Sequence, residues 1–434
     1  MSFIEVNKSI LSGNISIPSS KSQTMRALIF ALMASGKSLI HNYLHSPDTF
    51  SMIEACRSFG AKVTILPYTI EMEGIGGKVS CTADVIYAGN SGIILRFCSA
   101  LGALASLPVV VTGDYSIRYQ RPIAALIDGL SQLDVQVTSM RGDHFAPLII
   151  QGPIKGRSIS IDGSDSQPVS ALLIATAFAK EPSEIHVKNP GEKPFVRMTL
   201  DWFDRLGINY SQNSYEHFFI EGNTKYHGFE YTVPGDFSSA AFPIAAALIT
   251  GSELTINQLD FSDSQGDKEL ISIFQKMGGH IEYEDENKRI VIKKNSCLKG
   301  MAIDVNSMID AIPILSVVGC FAEGETRLYN GAVARQKECD RIACMKKELE
   351  SMGGQVQEYA DGLLIKKSIL HGSTVHSNED HRVAMSLIVA GLKAEGSTYI
   401  HSVQCINKTF PNFIEKMINV GAKMFECKDF SETF

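Results

Sequence analysis

Six times along this chain an apolar stretch ends at a turning residue and a β-prone segment follows, at nearly constant distance. The turning residues are Gly60, Asp134, Gly207, Gly278, Gly353 and Gly421, at spacings of 74, 73, 71, 75 and 68. Five copies carry glycine, as in Phe59-Gly60-Ala61-Lys62-Val63, and the weaker sixth carries Asp134 in its place. Glycine at the end of an amphipathic stretch reads as the residue just past a helix C-terminus, where φ must be positive. A second signal runs at the same period. Long apolar runs begin near Lys21, Gly89, Gly163, Gly235, Asn306 and Asn378, for example SKSQTMRALIFALMASG and GDFSSAAFPIAAALITGS. A helix that is apolar nearly all round must be buried. Each unit of about 72 residues therefore supplies one buried helix, one amphipathic helix and several short strands. Six units exceed what one core at this length can hold, so the pattern predicts two α/β domains of three units each. Thr232-Val233-Pro234-Gly235 reads as a crossover between them.

Composition narrows the function classes. The 434 residues are 44% hydrophobic and 20% charged, which excludes disorder as the main state. The net charge of −7 argues against a nucleic-acid partner but leaves room for a locally basic cleft. The nine cysteines are odd in number and widely spaced, with no C-x-x-C, so neither a disulfide scaffold nor a zinc site is expected. The start MSFIEVNKSI lacks the basic and apolar regions of a signal peptide. The longest uncharged stretch, Phe97 to Gly113, has 17 residues, short of the roughly 20 of a membrane span. A soluble cytoplasmic protein is the expectation.

Basic residues gather at or beside the predicted helix starts. They are Lys21, Arg26, Arg96 and Arg382, with Arg118, Arg121, Arg335, Lys337, Arg341 and Lys408 in polar stretches. On any single helix, polar residues at the start are ordinary N-caps. Six starts in register, with arginines and lysines nearby, point to a ligand carrying several phosphates or carboxylates. Two carboxylates stand in this basic setting, Asp310 in NSMIDAIPILSVV and Glu338 beside Lys337, and each is placed for acid or base work. Other motifs fail their patterns. Gly36-Lys37-Ser38 falls at a helix end and lacks the first P-loop glycine, and His41 with His45 has no intervening glutamate. No G-x-S-x-G occurs. No metal and no cofactor are expected.

The motifs in order, PSSKSQTMRAL, GNSGIILR, RPIAALIDGL, GDFSSAAF, IDAIPIL, RQKECDR, EDHRVAM and NKTFP, resemble the 5-enolpyruvylshikimate-3-phosphate synthase family from Pro18 to Pro411. The resemblance implies an inside-out α/β barrel fold. Two similar domains, each of three βαβαββ units around buried helices, are expected over 21–234 and over 1–20 plus 235–434, with the active site in the cleft between them. It implies transfer of the enolpyruvyl group of phosphoenolpyruvate to the 5-hydroxyl of shikimate 3-phosphate, by addition and elimination through a tetrahedral intermediate. By position, Lys21, Gly92, Arg121, Arg341, Arg382 and Lys408 match the phosphoenolpyruvate ligands. Lys21, Ser22, Arg26, Ser164, Ser166, Gln167, Asp310 and Lys337 match those of shikimate 3-phosphate. Asp310 matches the acceptor of the 5-hydroxyl proton, Glu338 the proton donor to C3, and Lys21 a helper in proton transfer. His381 stands where it would orient the site. The partners implied are small substrates, without nucleic acid or membrane, and the chain is expected to be a monomer.

The chain departs from the family pattern in places. Asp165-Ser166 replaces a serine pair, Glu192 a serine and Phe195 a tyrosine. A carboxylate beside a phosphate is unfavourable, so Asp165 is expected to point away and Ser164 to substitute. Ile93 and Phe97 replace a threonine and a proline after Asn90, and both are larger, which predicts reduced glyphosate sensitivity with phosphoenolpyruvate binding retained. Two other readings compete with this one. UDP-N-acetylglucosamine enolpyruvyl transferase carries a reactive cysteine before its R-P motif, and GDYSIRYQRP has none. A non-catalytic phosphometabolite-binding protein on this fold would not need Lys21, Asp310, Glu338 and Lys408 together.

Overall fold

The structure, a computed structural model, describes residues 2–83, 85–294 and 297–428. All six turning residues take positive φ: Gly60 +104°, Asp134 +68°, Gly207 +66°, Gly278 +102°, Gly353 +89° and Gly421 +105°. Just beyond each, an amide closes the helix end by bonding back to the last turn. The pairs are Ala61 to Cys56, Val135 to Leu130, Ile208 to Phe203, Gly279 to Phe274, Gly354 to Leu349 and Ala422 to Met417, at 2.8–3.1 Å. This is the 6→1 bond that a left-handed residue makes possible. Asp134 adopts the glycine conformation although it carries a side chain, so the sixth copy of the signal is real.

The strands form six four-stranded sheets of one pattern. Two strands pair in parallel and the other two add antiparallel neighbours, as in Val85–Tyr87, Val109–Thr112, Leu148–Gln151 and Gln136–Ser139. In two of the six sheets the parallel partners come from distant parts of the chain; in the other four, this one among them, one helix crossover joins the pair, because parallel neighbours cannot be joined by a tight turn. The crossover helix here is Gly92–Gly102, and the amphipathic helix Ala124–Gln132 precedes the hairpin. The unit is βαβαββ, six times over.

The chain divides into two compact units, one reaching up to Pro18 and resuming at Pro234, the other Ser19–Val233. In each, three nearly all-buried helices lie inside and three sheets outside. In Ser19–Val233 the helices are Lys21–Met33, Gly92–Gly102 and Ser166–Ala177, inside one apolar core. In the other unit they are Phe237–Thr250, Ile312–Phe321 and His381–Gly391, inside a separate core. Phe237–Thr250 is buried at every position. Within each unit, a strand from one end of its chain segment closes a sheet with a strand far along the sequence. Ser12–Ser16 pairs with Glu253–Asn257, while Glu230–Thr232 pairs with Ser35–His41.

Candidate active site

Four of the six buried helices start with a side chain that caps them. Ser20, Asp165, Asp236 and Asp380 each accept a backbone N–H of the first turn. Asp310 lies in a 3-10 turn, Asn306–Ala311, that leads into Ile312–Phe321. Each helix start brings positive partial charge and free N–H groups to its end of the unit.

In Ser19–Val233, Arg26 is 2% exposed and locked in place. Its guanidinium donates to Thr199 Oγ1 at 3.0 Å, the Ser22 carbonyl at 3.1 Å and the Phe195 carbonyl at 2.7 Å, and lies 5.7 Å from the Phe97 ring centre. Lys21, the first helical residue, stands 3.7 Å from buried Asp48. Around Gly92 three functional groups converge. A Cβ there would meet Arg96 Nη1 at 2.9 Å, Arg121 Nη1 at 3.4 Å and Gln167 Oε1 at 3.4 Å. Glycine at 92 thus leaves the room in which these groups face one another. Among the described residues Gln167 Oε1 is buried without a hydrogen-bond partner. Asp165 does not turn out to solvent: Oδ1 accepts the Gln167 N–H and Oδ2 lies 3.3 Å from Arg96. Ser164 gives its hydroxyl to Asp162 Oδ1. Ser166 is buried and bonded to Glu192.

The other unit holds a buried network of opposite charges. Arg341, 1% exposed, meets Asp310 at 2.6 Å, Glu338 at 2.7 Å and Asp380 at 2.7 Å, one through each guanidinium nitrogen. Arg382 Nη2 reaches the second oxygen of Asp310 at 2.7 Å, and Lys408 Nζ reaches Glu338 at 2.9 Å. Burial raises the Asp310 carboxyl, but Arg382, Arg341 and Lys337 outweigh it and hold the group well below the ordinary carboxylate range. Asp267 goes the other way. It is 3% exposed, bonds to Ser238, and is pushed up to about 7 by burial and by the charge of Asp310. Lys337 and His381 are also buried here.

The structure sorts the basic residues seen in the sequence. Arg335 is drawn off to Asp340, Glu358 and two backbone carbonyls, and Arg118 to the Asp114 carbonyl. Sequence reading missed Asp48, Asp267 and Asp380. Asp380 lay inside the motif EDHRVAM, and an aspartate one residue before a buried helix was the available signal. Asp48 and Asp267 had none, because their importance comes from partners distant in sequence. Among the described residues two clusters have donor atoms close enough for a metal: Glu184 and His186, both exposed, with half-buried His217, and buried Glu338, Asp380 and His381. In the second, Arg341 and Lys408 already neutralise the carboxylates.

A family model described as EPSP synthase (3-phosphoshikimate 1-carboxyvinyltransferase) matches residues 6–417. A 3-phosphoshikimate 1-carboxyvinyltransferase of Ruminiclostridium cellulolyticum is 42% identical, over 97% of this chain and 99% of that protein. The enzyme of the same name from Acetivibrio thermocellus is also 42% identical, over 98% and 100%. Among solved structures, EPSP synthase of Acinetobacter baumannii superposes with a TM-score of 0.83 at 26% identity, covering 99% of this chain and all of that one.

Proposed function

The chain belongs to the EPSP synthase family, the 3-phosphoshikimate 1-carboxyvinyltransferases, and we propose that its reaction runs through the residues gathered at the buried helix starts of both units. The reaction is transfer of an enolpyruvyl group from phosphoenolpyruvate to the 5-hydroxyl of shikimate 3-phosphate, in the shikimate pathway to aromatic amino acids. The observation that carries the assignment of roles is Arg341, whose three nitrogens each hold a different carboxylate.

In this reading the buried cations Arg121, Arg341, Arg382 and Lys408, with Lys21 and Gly92, receive the carboxylate and phosphate of phosphoenolpyruvate. Lys21, Ser22, Arg26, Ser164, Ser166, Gln167 and Lys337 receive shikimate 3-phosphate. Without substrate, the carboxylates compensate the cations. An incoming polyanion competes for Arg341, Arg382 and Lys408, which leaves Asp310 and Glu338 less compensated and more ready to hold a proton. Asp310 then takes the proton of the 5-hydroxyl as its oxygen attacks C2, while Glu338 delivers a proton to C3. The tetrahedral adduct then returns a proton from C3 to the Glu338 carboxylate as the C2–O bond to phosphate breaks, which restores the double bond and releases phosphate.

No helix of the described residues is long and apolar enough to cross a membrane. The nine free cysteines support a reducing, cytoplasmic setting, and we read the working form as a monomer without nucleic-acid or membrane partners. The test is phosphate release with each substrate omitted in turn. Release should require both, and Glu338→Gln should lower kcat by about 100-fold or more, the usual scale for one acid–base group. A Glu338→Gln enzyme with unchanged kcat would remove Glu338 from the proton path.

A further inference from the structure

Ser166 opens a buried helix, and both of its donors are already in use. Its backbone N–H lies 3.0 Å and its hydroxyl 2.9 Å from one and the same oxygen, Glu192 Oε2. One acceptor oxygen shared by a hydroxyl and an amide at a helix N-terminus is the arrangement in which a phosphate oxygen is bound. Glu192 is 2% exposed, so its carboxylate is held inside the protein.

The backbone that delivers it is built for the purpose. Glu192 has φ +45°, and Asn189, three residues earlier, has φ +52°. Left-handed backbone costs free energy in a residue with a Cβ and persists only where the surroundings impose it. Between the two, Gly191 packs so closely on the Ser164 carbonyl that a Cβ would lie 2.5 Å from its oxygen. A second carboxylate, Asp165, flanks the same helix start, between the Gln167 N–H and Arg96.

Resting on the reading of Ser166 as a ligand of the substrate phosphate, we propose that Glu192 is a resident anion on the Ser166 donors, which shikimate 3-phosphate must displace in order to bind. A phosphate dianion has more charge and more acceptor oxygens than one carboxylate oxygen, so it can win this exchange. A substrate without the phosphate brings nothing to trade for the Glu192 contacts. Glu192 thereby lowers affinity for any ligand whose anion must take the Ser166 donors.

The test is steady-state kinetics of Glu192→Ser and Glu192→Gln, with inorganic phosphate as a second probe. Removing a charged competitor for two hydrogen bonds should lower KM for shikimate 3-phosphate by about tenfold or more in Glu192→Ser, without a matching change in KM for phosphoenolpyruvate. Inorganic phosphate should compete with shikimate 3-phosphate more strongly than in the parent enzyme. Glu192→Gln keeps the size and an acceptor, and should shift KM in the same direction by less. An unchanged or raised KM for shikimate 3-phosphate in a folded variant would overturn the proposal and make Glu192 a plain helix cap, as would failure of both variants to fold. Ser166→Ala separates the two ideas. If its KM for shikimate 3-phosphate is unchanged, the reading of Ser166 itself fails, whatever Glu192 does.

Discussion

A carboxyl sealed from water beside a second, ionised carboxyl holds on to its proton, and Asp267 is in that position behind Asp310. Its pKa is raised to about 7 in the folded protein, against about 3.8 for a free side chain. A raised folded pKa gives a contribution to stability that is complete below the unfolded value and is lost as pH climbs through the folded one. Folding stability should therefore carry a decline between about pH 4 and 7 that belongs to Asp267. Asp267→Asn, which mimics the protonated group, should flatten this decline, as read by urea midpoints at pH 5 and pH 8. Equal slopes in the variant and the parent would remove Asp267 as the source. A second residue-scale prediction concerns Phe97 and Ile93. Phe97 is buried under the Arg26 guanidinium, and Ile93 is half-buried on the first turn of the Gly92 helix, so neither bulky side chain can swing clear of the helix start. The inhibition constant for glyphosate should be at least about tenfold above that of a relative with threonine and proline there, while KM for phosphoenolpyruvate stays in the family range. An equally low inhibition constant would dismiss the two side chains as determinants. At this scale the sequence was legible where a motif names the residue, as for Lys21, Asp310 and Arg341. It was silent on Asp267 and on the Glu192–Ser166 bond, because burial and pairing across 26 or more positions leave no local pattern.

At the scale of elements the chain was far more legible. A helix end that needs a left-handed residue is a local demand, and five glycines answered it in the sequence itself. Asp134 hid the sixth, since aspartate tolerates that backbone through its short polar side chain, and here also pairs with Lys155 at 2.6 Å. The buried helices begin a few residues later than their apolar runs, at Gly92 rather than Gly89 and at Ile312 rather than Asn306. The gap before Ile312 is the 3-10 turn Asn306–Ala311, in which Met308 and Ile309 join the core while Asp310 pairs with Arg341 and Arg382. Gly207 offers a clean test of the turning positions. Its φ is +66° and a Cβ would touch nothing within 4 Å, so Gly207→Ala changes backbone preference alone. The variant should lose about 1–2 kcal/mol in urea unfolding, with phosphate release intact. A stability unchanged within error would mean that the left-handed turn is not needed there.

The whole molecule is a single repeat used six times, yet its two units are not equivalent as pieces of chain. Ser19–Val233 is continuous and contains all four strands of each of its three sheets, including Glu230–Thr232, which closes the first. The other unit is assembled from both ends of the chain. Its Ser2–Asn7 strand lies inside a sheet, between Thr398–His401 and Lys423–Lys428, and its Ser12–Ser16 strand pairs with Glu253–Asn257. Removing an interior strand leaves two rows of unpaired backbone groups, whereas removing nothing leaves a complete core. A polypeptide of residues 19–233 should therefore fold alone with one cooperative urea transition, and residues 234–428 without the first 18 should not. The folded piece should release no phosphate, because Asp310, Glu338, Arg341, Arg382 and Lys408 all lie in the other unit. Circular dichroism during urea titration of both pieces decides the matter. A cooperative transition for 234–428 alone would show that the N-terminal strands add little, and a broad one for 19–233 would show that its core depends on the rest of the chain.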